Sequence, residues 1–344
     1  MKILSVAHCV PETVLDNQNY LDIVGERNRA RFSDREFETF RALIARGFEI
    51  TGNERRHIAV NGESALDFGR EAACAAIEQA GIEPSEIDVV IYAGVARGWI
   101  EPATAVIFQD AVGAVNATSF DVLDACAGWL RGIHVAHSLL RASAYKTALI
   151  IACEFGWDDF IKREFNSIAD LDQYFAGFTL GEAATATVLR ATPEDDFRFH
   201  FRTFPEYHRL CVIPLSAAGK LDPQMLNGGL VPGLFAAHST ALTAATMKCA
   251  IQTFEEEPSF LSREYDIFFA HIASKKGGDI VARRLGLPLS IHYPTHAEYG
   301  NTASAAIPLA MSLALEEGKL ERGHRVLVGV TSAGITIGMS SFTY

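Results

Sequence analysis

The chain has no apolar run long enough to span a bilayer. Its longest, such as Ala148-Leu149-Ile150-Ile151-Ala152-Cys153, have the length of a strand. Met1-Lys2-Ile3-Leu4-Ser5-Val6 opens directly as a strand without the extended apolar core of an export signal, so a cytoplasmic location is expected. Cysteine is scarce. Six residues at irregular spacing read as reduced thiols rather than a disulfide framework. Positive charge is also short: 30 Lys and Arg against 42 Asp and Glu leave a formal net charge of -12, which argues against nucleic acid as a partner. No low-complexity tract interrupts a chain that is 49% hydrophobic, and 344 residues exceed one simple core, so two domains or two fused halves are expected.

What the chain does have is organised around Asp121-Val122-Leu123-Asp124-Ala125-Cys126-Ala127-Gly128-Trp129. Phe120 to Leu123 reads as the end of a strand. From Ala127 onward Leu130, Ile133, Ala136 and Leu140 recur at the period of a helix with one buried face. Cys126 therefore stands where a strand turns into a helix. Unpaired N–H groups and the helix dipole there favour negative charge, so an easily ionised, nucleophilic thiol is expected. The alternative is a buried structural thiol.

The order strand, small-residue turn, helix, strand occurs twice. Glu86-Ile87-Asp88 leads one buried strand, and Glu264-Tyr265-Asp266 leads Ile267-Phe268-Phe269-Ala270. The Cys126 turn precedes the strand Ala148–Cys153, and Gly300-Asn301-Thr302 precedes a helix and the strand Arg325–Val330. Two similar α/β halves follow, 1–191 and 192–344, with residues about 192–240 read as a cap or loop excursion. The Cys126 and Asn301 turns would then be equivalent and converge at the interface between halves, a favoured place for ligands.

A thiolate gains from a base or cationic partner that need not be close in sequence. His134 lies about 12 Å along the helix from Cys126, and with His137 reads as a packing residue. Pro294 breaks any helical face between His292 and His296, so no metal site is expected there. His271 ends an apolar strand, the end at which open α/β sheets place ligands. Asn301 offers an amide from the facing turn. A core histidine and a plain N-cap remain the alternatives for these two. The clustered cations, including Arg55, Arg56, Lys275 and Lys276, read as solvated faces or as a docking surface for an acidic carrier.

These residues bring the sequence to a resemblance. Pro11 to Asn17, Thr51-Gly52 with Arg55-Arg56, Asp124-Ala125-Cys126-Ala127-Gly128, Lys146 to Glu154, His271 and Gly300-Asn301-Thr302-Ala303-Ser304-Ala305-Ala306-Ile307-Pro308 resemble ketoacyl synthase III, the FabH-type condensing enzymes of the thiolase-fold superfamily. The resemblance implies a duplicated, five-layered α-β-α-β-α fold and a homodimer. It also implies a Cys126–His271–Asn301 triad, and acyl-CoA or acyl-carrier-protein thioesters as substrates with no tightly bound cofactor. The departures are Ile272-Ala273-Ser274 after the histidine, Leu180-Gly181-Glu182-Ala183 before the mid-chain strand, and Ser332-Ala333-Gly334 at the oxyanion and pocket floor. Glu101 stands where an apolar residue gates the partner's acyl pocket. The reaction implied is decarboxylative Claisen condensation with a malonyl-type thioester, in fatty-acid-like or polyketide metabolism. Transfer to an alcohol or amine, or a non-catalytic partner subunit, are the alternatives.

Overall fold

The structure is a computed structural model that describes residues 1–344 except 61, 225–228, 272 and 273; of Lys275 and Lys276 only the main chain is described. Strands β1 (Lys2–Cys9), β2 (Val89–Tyr92), β3 (Thr118–Asp121), β4 (Thr147–Glu154) and β5 (Ala183–Arg190) form one sheet in the order β1-β5-β4-β2-β3. Strands β6 (Arg198–Thr203), β7 (Ile267–His271), β8 (Arg325–Ser332) and β9 (Thr336–Thr343) form a second in the order β7-β8-β9-β6.

Both sheets are made the same way. A parallel pair, β2 with β4 or β7 with β8, is extended by two antiparallel neighbours. An aspartate sets the register of each parallel pair. Asp88 accepts the N–H groups of Lys146 (2.8 Å) and Thr147 (2.9 Å) and donates its own to the Thr147 carbonyl (3.0 Å). Asp266 accepts the Arg325 N–H (2.7 Å) and donates to the Arg325 carbonyl (2.9 Å). The repeated acidic residue thus performs one physical task twice.

Among the described residues the longer helices are α1 (Asn17–Asn28), α2 (Asp34–Thr51), α3 (Ala65–Ala80), α4 (Thr104–Val112), α5 (Gly128–Arg141), α6 (Ser239–Glu256), α7 (Lys275–Arg284) and α8 (Ala306–Glu316). Ala72, Ile77 and Phe108 of α3 and α4 pack on Val90, Leu149 and Val188, covering the outer face of the first sheet. Leu130 and Ile133 of α5 and Ile307 and Met311 of α8 share a core with Ile150, Val326 and Val328, so these helices lie between the sheets. Phe254 of α6 and Val281 and Ala282 of α7 meet Phe268, Leu327 and Met339 on the far side. Five layers result, in the order α-β-α-β-α. Each large apolar side chain so buried stabilises the fold by about 1.5–3 kcal/mol.

One expectation is corrected. The segment 192–240 is not wholly a loop excursion, because β6 pairs with β9 throughout its length. Its alternation explains this: Phe199 and Phe201 stack on His134 of α5, while Arg198 and Arg202 reach Glu257 and Glu256 on the opposite face. No helix among the described residues is long and apolar enough to cross a membrane.

Candidate active site

Cys126 is the middle residue of a tight turn, Ala125–Ala127, that joins β3 to α5. The matching turn, Ala303–Ala305, leads into α8 and packs against it. Gly128 lets the start of α5 lie on the end of β2 beside that turn: a Cβ there would come within 2.0 Å of the Ala93 carbonyl oxygen and 3.3 Å of the Ser304 Cβ. The two turns are equivalent, as the repeat implies, but residue for residue the counterpart of Cys126 is Ser304; Asn301 stands three residues earlier.

The expectation of an easily ionised thiol is overturned. Cys126 packs against both the central core and the cluster formed by α1 and α2. Burial pushes its thiol well above the ordinary value, and Cys211, Glu154 and Asp124 push in the same direction. A helix end offers only about 0.3–1 kcal/mol to a nearby charge, less than one unit of pKa shift, so desolvation wins.

His271 is the last residue of β7, and its carbonyl accepts from the Thr331 hydroxyl (3.2 Å). The ring is buried, and burial, with His296 nearby, brings its pKa down to about 4. It is therefore neutral at pH 7. Asn301 is held by its main chain, donating to Thr179 (2.7 Å) and accepting from Gly181 (3.1 Å). Its side-chain Oδ1 accepts the Ala303 N–H (2.9 Å), which leaves the Nδ2 group as the free donor. Gly300 makes the approach possible, with φ at 70° and a position where a Cβ would lie 2.7 Å from the Thr179 oxygen.

His271 and Asn301 line one cavity, together with Ala270, Ser274, Gly300 and His296. Cys126 is not on that wall. The turn that packs against it, Ala303–Ala305, is bonded to Asn301 through the Ala303 N–H, and on its other side the Ser332 hydroxyl donates to the Asp124 carbonyl (2.8 Å) and accepts the Ala127 N–H (3.2 Å). Ser332 thus ties the end of β8 to both flanks of Cys126, and Ala333 and Gly334 follow in the turn to β9.

Arg56 corrects another expectation. It is fully buried and cannot be a docking residue. Its guanidinium donates to the Leu15 carbonyl (3.1 Å), to Asn17 (2.8 Å) and to Asn53, with the rings of Tyr20 and Phe48 about it at 5.0 and 5.1 Å. Arg55 is exposed and paired with Glu298 (3.1 Å). The side chains of Lys275 and Lys276 lie outside the described residues. Glu101 is exposed in the loop before α4 and is not among the residues that line the His271 cavity. His137 packs with Asp195 (2.8 Å). No group of three or more potential metal ligands occurs among the described residues.

Two carboxylates carry structural work at the site that sequence reasoning did not assign. Glu154 is fully buried; its Oε1 accepts from Val95 (2.9 Å) and from the main chain and hydroxyl of Ser304, and its Oε2 from Ala96 (3.0 Å). Glu182 accepts from Gly156 (2.7 Å), Trp157 (3.3 Å) and Ala59 (2.5 Å). Both end or precede strands of the first sheet, where a lone acidic residue in an apolar run was the available signal.

Comparison with known proteins gives the family and the fold. The family described as 3-oxoacyl-[acyl-carrier-protein] synthase III matches residues 120–204, and its C-terminal counterpart matches residues 256–344. The 3-oxoacyl-[acyl-carrier-protein] synthase III of Aquifex aeolicus VF5 is 21% identical, covering 100% of this chain and 99% of that one at a TM-score of 0.78. OleA of Xanthomonas campestris, in a structure with bound lauric acid and lauroyl-CoA, is 21% identical over 99% of this chain and 98% of that one at a TM-score of 0.82. The chain belongs to the 3-oxoacyl-[acyl-carrier-protein] synthase III family of thiolase-fold condensing enzymes.

Proposed function

We propose that the protein is a ketosynthase that carries an acyl group on Cys126 and joins it to a malonyl-type thioester. The observation that carries this reading is the shared cavity of a neutral His271 and an Asn301 whose amide is turned to donate. Two neutral side chains able to donate, lining one space, suit a thioester carbonyl on which negative charge develops.

In the first step the sulfur of Cys126 bonds to the acyl carbonyl of a CoA or carrier-protein thioester. The carbon–sulfur bond to the carrier breaks, and the thiol proton leaves with the carrier thiol. The Cys126 N–H and one from the Ser332–Gly334 turn are the donors proposed for the oxyanion, with Ser332 bracing both elements. In the second step the malonyl carbon loses carbon dioxide, and the electron pair of that bond becomes an enolate held by His271 and Asn301. The enolate carbon bonds to the acyl carbonyl and the Cys126 thiolate departs. No tightly bound cofactor enters these steps. Arg55 is the remaining candidate for contact with an acidic carrier, and the exposed Trp99-Ile100-Glu101 loop the candidate for contact with a second copy of the chain in a homodimer.

The test is intact-mass analysis after incubation with acyl thioesters of graded length, lauroyl-CoA included because OleA binds it. A mass gain on the parent and none on Cys126→Ala identifies the nucleophile. Carbon dioxide release and a new ketone on adding malonyl thioester support condensation, whereas an ester or amide product without carbon dioxide overturns it. Arg55→Glu is expected to raise the KM for carrier protein several-fold at unchanged CoA kinetics.

A further inference from the structure

Besides His271 and Asn301 the cavity is lined by the polar residues Ser274, His292, Thr295 and His296, for which the reaction above has no role, and of these His296 has a buried side-chain nitrogen without a partner among the described residues. His296 begins the short helix His296–Tyr299, is 9% exposed, and its Nε2 has no hydrogen-bond partner among the described residues. Such a nitrogen costs about 1–3 kcal/mol to bury unless a ligand satisfies it. Its main chain is fixed from both sides, because its carbonyl accepts from Asn53 Nδ2 (3.1 Å) and from the Gly300 N–H (3.1 Å). Asn53 is in turn gripped by Arg56.

Arg56 supplies a second and independent observation. It is fully buried, and no carboxylate pairs with it among the described residues; the oxygens it bonds are neutral. Burial lowers its pKa only to about 10, so it is a cation at pH 7. Its Cβ lies 3.1 Å from the point where Gly300, a residue of the cavity wall, would carry one, and its charge reaches His296 closely enough to lower that ring's pKa. Asp16 acts on the charge of Arg56 without forming an ion pair, and a cation so placed in a low-dielectric site favours an anion in the adjoining space.

Lone-pair counting narrows the ligand. A thioester carbonyl oxygen has two lone pairs, which His271 and Asn301 fill. A further donor in the same cavity is satisfied if it meets another oxygen of the same substrate. Resting on the condensing-enzyme reading, we propose that His296 is a specificity-determining residue that donates a hydrogen bond to the carboxylate of a malonyl-type thioester, in a field supplied by Arg56.

The test is calorimetric binding of malonyl-CoA and acetyl-CoA at pH 7, in a Cys126→Ala background so that no acyl transfer competes. The parent is expected to prefer malonyl-CoA, and His296→Ala to reduce the malonyl-to-acetyl affinity ratio about 10-fold or more. His296→Gln, whose amide can donate, is expected to restore part of the ratio. A ratio unchanged in His296→Ala, or no malonyl preference in the parent, overturns the proposal. Should His296→Ala not fold, His296→Phe keeps the ring's bulk without its nitrogens and is read in the same way. Malonyl binding that depends on His296, in a protein whose Cys126 takes no acyl group, would overturn the condensing reading and leave this one standing.

Discussion

Ala125 and Ala303 adopt the same left-handed backbone, with φ of 43° and 44°, at corresponding points of the two duplicated turns. An alanine there is strained by its Cβ, and it persists because both turns are packed against each other. Replacement of Ala303 by Gly is expected to leave stability unchanged or raise it by up to about 1 kcal/mol, since relief of strain offsets the added freedom of the unfolded chain. Ala125→Gly should behave alike in urea unfolding but slow acylation of Cys126, the next residue. Ala125→Val should cost about 2 kcal/mol or more. Destabilisation by Ala303→Gly beyond 1 kcal/mol would show that the strain account is mistaken.

Glu154 joins the two halves by hydrogen bonds, because its carboxylate serves the Val95–Ala96 loop and Ser304 at once. Burial raises its pKa, so the site keeps the carboxyl at a desolvation cost that these donors offset. Glu154→Gln turns an NH2 group toward at least one of the same N–H donors and is expected to cost roughly 2–3 kcal/mol in urea unfolding. Glu154→Ala should cost roughly 3–5 kcal/mol. Because the Ala303–Ala305 turn rests on this carboxylate, acyl-Cys126 formation should fall in both variants. A stable, fully active Glu154→Ala would dismiss the bridging role.

Much of the scaffold was legible because its devices are local and doubled. Asp88 and Asp266 stand at the same offset before their strands, and the apolar period of α5 needs no tertiary information. His271 and Asn301 could be proposed as partners because a strand end and a facing turn converge in any duplicated α/β scaffold. Arg56 was misread for a statistical reason: arginine is seldom fully buried, and a run of arginines points outward. The alternation of the strand Arg55–His57, one residue out and the next in, was the local sign against it. The thiol was misread because sequence shows a helix end but not the side chains that surround it. His296 was judged only as a metal ligand, and the partner that gives it meaning, Arg56, is distant in the chain.

The raised thiol has a kinetic consequence. With Cys126 protonated well beyond pH 8 and His271 neutral from about pH 5 upward, alkylation of the free enzyme by iodoacetamide tracks the small thiolate fraction. The rate at Cys126 is expected to rise about tenfold per pH unit from pH 6 to 9, with no inflection at ordinary thiol values. Peptide-resolved mass spectrometry would read this site by site. A plateau reached below pH 8 would mean that a partner ionises the thiol in spite of its burial.

The paired histidines should also be visible in stability. His271 and His296 each have a folded pKa of about 4 against an ordinary 6.5, burial being the main cause for both. Between those values the unfolded chain binds the extra protons, so stability is fully present above pH 6.5 and is lost as pH falls toward 4. Each histidine accounts for roughly 3 kcal/mol at most over that window. His296→Gln removes one titrating group while keeping a side chain able to hydrogen bond. Its urea-unfolding free energy should therefore change with pH by about 1.4 kcal/mol per unit less than the parent's between pH 5 and 6. Equal slopes in the two proteins would mean that His296 is already solvated or protonated in the folded state, and its place as a neutral donor on the cavity wall would be lost.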